Sequence, residues 1–279
     1  MTGEAKPIPD EAGLAADLLA AYDAKRQLAP LCSRFDDFPT SCAYRIAHHV
    51  TAMRRARGET TVGRKIGFTN RTIWSLYGVT GPMWGHVYRH TLHDLPALPA
   101  TVPLPILTEP RIEPEIIFGL KHAPIAGMSQ AQIADCIDWV AHGFEIVFSP
   151  FPGWKFTGAD CAAGFGLHGA LFVGPRVAMA SMDPKVLSDF SVTLRGSNGT
   201  ELHGHSTDVL DGPLAALGFL LDTLAQDPQA EPLRAGEVVT TGTLTDAAPL
   251  SAGGRWVTTL EGIDLPGLDV RFGPSAPVG

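Results

Sequence analysis

The sequence predicts an α+β protein in which helices come first and a mostly β body follows. Three observations carry this. Apolar residues recur at helical spacing in two successive segments before residue 60. Gly (30) and Pro (23) are frequent, which calls for many turns and a sheet-rich body. From about residue 61, short β-branched and aromatic runs are separated by turn signals. The expected division is a helical portion over 1–60 and a β-rich body over 61–279, long enough for one large core.

The first helix runs from an Asp10 cap to about Leu28, with Leu14, Leu18, Leu19 and Tyr22 on its apolar side. The second follows Pro39-Thr40-Ser41, with Ile46, Val50 and Met53 as its stripe. Arg54, Arg55 and Arg57 then suit the negative helix end and read as a solvated basic surface. His48 and His49 lie on this helix without a metal-binding partner at i±4, so they are set aside. Thr61 to Asn70 changes to a glycine-punctuated, extended character. Its Lys65, bracketed by Val62, Ile66 and Phe68, is either a snorkelling side chain or an oriented functional cation, and spacing alone leaves the two open. Val79 to Gly85 reads as a tight aromatic turn and Pro96 to Pro105 as an irregular connector.

The stretch Glu109-Pro-Arg-Ile-Glu-Pro-Glu-Ile-Ile-Phe118 follows, with two glutamates, Glu113 and Glu115, two residues apart in an apolar strand. On a strand both point to one face, about 7 Å apart at their roots. Two such carboxylates, crowded by Ile112, Ile116, Ile117 and Phe118, are best reconciled by a shared hard cation rather than by a solvated acidic face. Ser129-Gln-Ala-Gln132 is a capping box ahead of Ile133, Ile137 and Val140, which predicts a short helix. Phe144-Glu-Ile-Val-Phe148 is a second apolar strand whose Glu145 needs a counter-charge if buried and none if it faces solvent on an edge. With the pair already present, Glu145 is the third ligand candidate.

Trp154-Lys155 and Asp160 fall in a loop-like stretch, and Ala170 to Gly174 reads as a buried strand. Phe190 to Arg195 alternates cleanly into Asn198-Gly199, which predicts a hairpin returning through Leu202. Asp211-Gly-Pro213 opens a helix with Leu214, Leu217, Leu220, Leu221 and Leu224 on one side. Val238–Gly242, Trp256–Leu260 and Leu268–Phe272 complete the strands.

A net charge of −8, with no basic cluster beyond Arg54-Arg55-Ala56-Arg57, excludes nucleic acid and anionic membrane as expected partners and favours a small substrate. Cys32, Cys42, Cys136 and Cys161 show no CxxC spacing and read as reduced thiols of a cytoplasmic protein. Met1 to Lys6 does not read as a signal peptide, and no apolar run is long enough to cross a bilayer.

Six motifs in order, Gly63-Arg-Lys-Ile-Gly67, Glu109 to Ile116, Phe144-Glu-Ile-Val147, Trp154-Lys155, Pro213-Leu214 with its helix, and Ala235 to Leu244, resemble the 2-keto-4-pentenoate hydratase and 4-oxalocrotonate decarboxylase group of the fumarylacetoacetate hydrolase superfamily. The resemblance runs from about residue 10 to 272. It implies a mostly β roll with a small N-terminal helical portion, Mg²⁺ or Mn²⁺ held by Glu113, Glu115 and Glu145, and Lys65 in the active site. Lys155 and Asp160 join Lys65 as catalytic candidates, and relatives are commonly homo-oligomers. The chain departs from the group at Met83, where a Pro-Asp-Phe-Gly turn usually carries an acid, at Ser149-Pro150 in place of Ser-Arg, and at Ala163-Gly-Phe165 in place of Ala-Asp-Asn. The activity implied is hydration of a 2-oxo-4-enoate from aromatic degradation. The missing acid brings decarboxylation of a 2-oxo-enedioate close behind, ahead of carbon–carbon bond hydrolysis or a non-catalytic relative.

Overall fold

The computed structural model describes residues 10–276, so Met1 to Lys6 lie outside the described residues. Helix α1 (Glu11–Asp23) starts where the Asp10 carboxylate accepts the Gly13 N–H at 2.8 Å. It packs Ala15, Leu18 and Leu19 against Ala43, Ile46 and Val50 of α2 (Thr40–Ala56). The same cluster takes in Phe148, Phe151 and Phe165, so the helices seat their apolar faces on the end of the β body. The basic run closing α2 is only partly the solvated surface expected of it. Arg54 is buried, stacked 3.6 Å over the Tyr88 ring and paired with Glu59 at 2.6 Å, whereas Arg55 and Arg57 pair at the surface with Glu231 and Asp23.

The body then runs through β1 (Thr61–Gly67), the single turn α3 (Trp74–Tyr77), β2 (Met83–Tyr88), β3 (Leu92–Asp94), β4 (Ala100–Pro105) and β5 (Arg111–Leu120). Next come α4 (Gln130–Asp135), β6 (Ile137–Val147), α5 (Gly158–Ala163), β7 (His168–Ala178), β8 (Ser191–Gly196) and β9 (Glu201–His205). Helix α6 (Pro213–Gln226) precedes β10 (Val238–Thr243), β11 (Ala248–Pro249), β12 (Arg255–Glu261) and β13 (Asp269–Ala276). Eight strands form one sheet in the order β2-β1-β10-β5-β6-β7-β3, with β11 also paired to β5. Five form a second, β4-β13-β12-β8-β9.

The alternation of β5 explains its double duty. Ile116, Phe118 and Leu120 pack on α6 leucines, and Ile112 packs towards the second sheet. The opposite face carries Arg111, Glu113, Glu115 and Ile117, the last against Val62, Ala141, Leu171 and Val238 inside the curl of the first sheet. Strand β6, between β5 and β7, is an interior strand, so Glu145 does not face solvent from an edge.

Four local expectations are corrected. The Ser129/Gln132 capping box is present, but the helix stops at Asp135, and Ile137 and Val140 belong to β6. Ala100–Pro105 is a strand paired in parallel with β13, although prolines 103 and 105 mark it as a connector in sequence. Met83 opens a strand on β1 rather than closing a turn. The stretch around Asp160 is the helix α5. The predicted β8–β9 hairpin turns through Gly199 at φ 89°, and α6 opens with Pro213 at its first turn. No helix of the described residues is long and apolar enough to cross a membrane.

Candidate active site

Five neighbouring strands, β1-β10-β5-β6-β7, bring the charged groups together on the inner face of the sheet. Register does the positioning. Glu113 lies directly across from Glu145 on the β5–β6 ladder, and Lys65 lies across from Thr240 on β1–β10. Carboxylate oxygens from Glu113, Glu115 and Glu145 lie within 4.8 Å of one another. Glu115 and Glu145 are fully buried, whereas Glu113 is partly open to a cavity of about 340 Å³.

The partners of these carboxylates hydrogen-bond one oxygen of each buried glutamate and leave the other without a hydrogen bond. Glu115 Oε2 accepts from Thr240 Oγ1 and, at 2.8 Å, from the Gly242 N–H. Gly242 sits at φ 104°, and a Cβ there would come within 2.2 Å of Thr69 Oγ1, so this amide is delivered by a glycine for steric reasons. Glu145 Oε1 lies 2.8 Å from His168 Nδ1, and His168 Nε2 lies 2.8 Å from Thr91 Oγ1. Facing a carboxylate, Nδ1 is the nitrogen that carries the proton. Lys65 Nζ stands 3.3 Å from Glu145 Oε2, an ion pair without hydrogen-bond alignment. Glu115 Oε1 and Glu145 Oε2 are buried with no hydrogen-bond partner.

The electrostatics follow from burial. Desolvation raises all three carboxyl pKa values against the pull of Lys65, Glu113 to about 8 and Glu115 well above the ordinary carboxylate value. Burial alone would lower Lys65, but the glutamates, Glu145 foremost, outweigh it and keep the ammonium charged. His168 is held well below the usual histidine value by burial and then by the Lys65 charge, so its ring is neutral. Burial also pushes the Cys161 thiol of the cavity wall up to about 12. One lysine facing three carboxylates leaves the cluster short of positive charge, and its two oxygens without a hydrogen bond offer the hard donors that Mg²⁺ or Mn²⁺ takes.

The rest of the cavity is walled by Phe68, Tyr77, Trp154, Phe156 and Leu167, with Arg111 among them. Phe68, Trp154 and Leu167 have φ of 56°, 57° and 62°, a left-handed backbone that non-glycine residues adopt at a cost of about 1–3 kcal/mol each. Such strain concentrates where loops aim side chains into a site. Two expected catalytic residues stand apart from the cluster. Lys155 is exposed and does not line the cavity. The Asp160 carboxylate is consumed locally, accepting from Cys32 N at 3.0 Å and closing a capping box with Thr157. Sequence reasoning missed His168, Thr240 and Gly242. The one available signal for His168 was a histidine opening the apolar run His168-Gly-Ala-Leu-Phe-Val173.

The positions at which the chain departs from its resembling group are packed as core. Met83, Ala163 and Phe165 join the apolar cluster under α1 and α2, and Ser149 is buried with its hydroxyl donated to the Phe151 carbonyl.

No family model matches the chain. It is 29% identical over 251 residues to 2-hydroxyhexa-2,4-dienoate hydratase of Comamonas testosteroni, covering 88% of this chain and 92% of that protein. It is likewise 29% identical to a 2-keto-4-pentenoate hydratase of Paraburkholderia phymatum, covering 90% and 93%. Among solved structures, 4-oxalocrotonate decarboxylase from Pseudomonas putida G7, complexed with magnesium and adipate, superposes with a TM-score of 0.84 at 23% identity over 94% of this chain and 97% of that one. Fumarylpyruvate hydrolase from Pseudomonas aeruginosa, in complex with Mn²⁺ and pyruvate, gives 0.56 at 14% identity over 76% and 89%. In sequence the chain is similar to proteins named as hydratases of 2-keto-4-pentenoate and 2-hydroxyhexa-2,4-dienoate, and it shares its fold with 4-oxalocrotonate decarboxylase and fumarylpyruvate hydrolase.

Proposed function

We propose that the protein is a divalent-metal-dependent lyase of the hydratase type, with Glu113, Glu115 and Glu145 as ligands of Mg²⁺ or Mn²⁺, acting on a 2-oxo-4-enoate of aromatic degradation. The observation that carries it is the trio of converging carboxylates with two buried oxygens that accept no hydrogen bond. Relatives named as hydratases and neighbours complexed with magnesium or Mn²⁺ support the same assignment.

A divalent cation in that cluster supplies Lewis-acid polarisation of a 2-oxo acid carbonyl. The chain's own residues do the rest. Lys65, buried and charged beside the carboxylates, offsets negative charge that develops on an oxygen at C2 as a proton leaves C3. Phe68, Tyr77, Trp154 and Phe156 exclude bulk water around a space of about 340 Å³, which suits a small acid. His168 holds Glu145 in place through Oε1, leaving Oε2 directed elsewhere.

Among the described residues no further carboxylate reaches the inner cavity. Asp246 lies exposed at its mouth, Asp160 is locked in its capping box, and Met83 is buried in apolar core. Proton delivery to carbon and activation of water therefore fall to Lys65, the open edge of Glu113 and solvent. That shortage favours a second reading, decarboxylation of a 2-oxo-enedioate, which needs the electron sink but no acid to add water. We further infer a cytoplasmic homo-oligomer, a point that sedimentation of the purified protein tests.

The deciding experiment incubates the Mg²⁺-loaded protein with 2-keto-4-pentenoate and, separately, with 4-oxalocrotonate. A hydroxylated 2-oxo acid from the first, abolished by chelation, is the expected result. Release of CO₂ from the second with no hydration of the first would replace the hydratase reading by the decarboxylase one.

A further inference from the structure

We propose that the outer part of the cavity is an apolar subsite for a ring-sized distal group, so that the site prefers 2-oxo acids carrying an aromatic ring at the far end to short aliphatic ones, with Tyr77 and Phe156 as specificity-determining residues. This rests on the reading above that the 2-oxo acid end of the substrate sits at the glutamate cluster.

The first observation is the placement of one helical turn. In the segment Arg71–Tyr77, Ile73, Leu76 and Tyr77 stand at i, i+3 and i+4, share one face and line the cavity. A helix normally buries such a face in the core. Here none of the three joins the hydrophobic core, and Leu76 is 75% exposed. The turn is anchored by another residue, Trp74, which packs against the core and donates its Nε1 to the Phe68 carbonyl at 2.7 Å. The apolar face is thus held towards a space rather than towards protein.

The second observation is a preformed aromatic wall. Tyr77 stacks with Phe156 at 5.4 Å between ring centroids, and Phe68 meets Tyr77 edge-on at 5.1 Å. Phe68 and Phe156 border the cavity and also pack against the core cluster under α1 and α2, which fixes them. Arg111 lies 4.2 Å over the Trp154 ring, so one face of that ring is already taken. The Tyr77–Phe156 pair is therefore the wall against which a substrate ring packs. An ordered aromatic cluster receives a further ring in an offset or edge-on arrangement and loses little freedom in doing so.

Third, the size and continuity of the cavity agree. Lys65 and Glu113 border the same space as Tyr77 and Phe156, so the head and ring subsites are one cavity of about 340 Å³. A cavity of about 150 Å³ walled by Leu, Ile and Phe takes up benzene. The space therefore holds a ring as well as a 2-oxo acid head, whereas a short aliphatic acid leaves the aromatic wall facing water.

The test uses two saturated acids that differ only in the distal ring, 2-oxo-4-phenylbutanoate and 2-oxobutanoate, titrated calorimetrically into the Mg²⁺-loaded protein. The wild type is expected to bind the phenyl acid about ten- to a hundredfold more tightly, the span of burying one phenyl-sized group. Tyr77→Ala is expected to lower the ratio of the two affinities about fivefold or more, and Tyr77→Phe to retain it. Leu76→Ala, at an exposed position where folding is not at stake, is expected to lower the ratio about two- to threefold. Equal affinities in the wild type, a ratio unchanged by both alanine variants, or a phenyl acid that binds as tightly after chelation of Mg²⁺ would each overturn the proposal. An aromatic wall that only keeps water out, or a mouth closed by a second copy of this chain, gives the first of these results. The wild-type comparison decides even if Tyr77→Ala does not fold. Binding of 2-oxobutanoate with no preference for the ring removes this inference and leaves the metal-site reading standing. If neither acid binds, that reading fails and takes the inference with it.

Discussion

The two halves of the site are built by different means. The carboxylate half stands on five adjacent strands, where ladder register fixes Glu113 opposite Glu145 and Lys65 opposite Thr240. The helical side, where Met83, Ala163 and Phe165 pack with α1 and α2, contributes volume and, apart from the buried Arg54–Glu59 pair and the capping carboxylate of Asp160, no charge. Strands hold catalytic groups more exactly than loops do, because a one-residue slip would turn every side chain to the wrong face. A sheet interior is nonetheless an expensive place for three carboxylates. The first half is therefore tuned for chemistry at the cost of stability, and the second is packed for stability, with its few buried polar groups paired locally.

The largest expected break of that contrast is Glu115→Gln. The amide keeps the shape and can still accept from Gly242 N, but it removes one charge from the donor set. Turnover is expected to fall about a thousandfold or more, with bound metal lost on dialysis. The metal-free variant is expected to melt higher than the metal-free wild type at pH 8, since a carboxylate destabilised by burial and by Glu145 has been neutralised. A lower melting temperature together with full activity would contradict the functional assignment of the cluster.

His168→Ala separates the ligand from its support. Glu145 Oε1 loses the Nδ1 donor, and removal of such an outer partner typically costs about 10–100-fold in metal affinity. Metal titration of the variant reads this directly. An unchanged affinity would make His168 a packing residue of β7.

A smaller effect follows from pH. The folded-state pKa of Glu113, raised to about 8 by desolvation and its acidic neighbours, exceeds the unfolded value of 4.5. Its proton is therefore held more tightly by the folded chain, and the stability this brings is full below about pH 4.5 and lost as pH rises through about 8. Chelated protein is expected to melt several degrees lower at pH 8 than at pH 5.5, at about 2–4 °C per kcal/mol for a chain of this size. Added Mg²⁺ should narrow the gap, because occupied ligands no longer gain from protonation. Thermal scans at both pH values, with and without the cation, check the sign.

What was legible in the sequence divides along the same line. Glu113, Glu115 and Glu145 could be found because a charge inside an apolar β run is a local contradiction that demands an explanation. Lys65 was ambiguous, since its neighbours suit either a stem or a site, and only the 3.3 Å approach to Glu145 across two intervening strands distinguishes them. Arg54 read as surface because its partners, Tyr88 and Glu59, come from outside its helix. Ile137 and Val140 matched the helical period of α4 by coincidence, and the long ladder to β5 won over that local pattern. Asp160 carried an acidic side chain in a stretch of site-like composition, but its use as a helix cap depends on Thr157 three residues earlier, a Thr-x-x-Asp arrangement outside the usual capping-box pattern.

The smallest expected effect bears on the packed half. Met83 is 5% exposed and packs in the apolar cluster under α1 and α2. If this region is core, volume is its only requirement. Met83→Leu is then expected to cost less than about 1.5 kcal/mol, as volume-conserving apolar exchanges do, and to leave kcat and KM within about twofold. Met83→Asp carries the opposite expectation. Its carboxyl would enter the apolar cluster of Val147, Phe148 and Ala159, so folding suffers by about 3 kcal/mol or more while hydration does not improve. A Met83→Asp protein that folds normally and hydrates faster would show that the two halves are not separate after all, and that this wall has kept a route for an acid to reach the cavity.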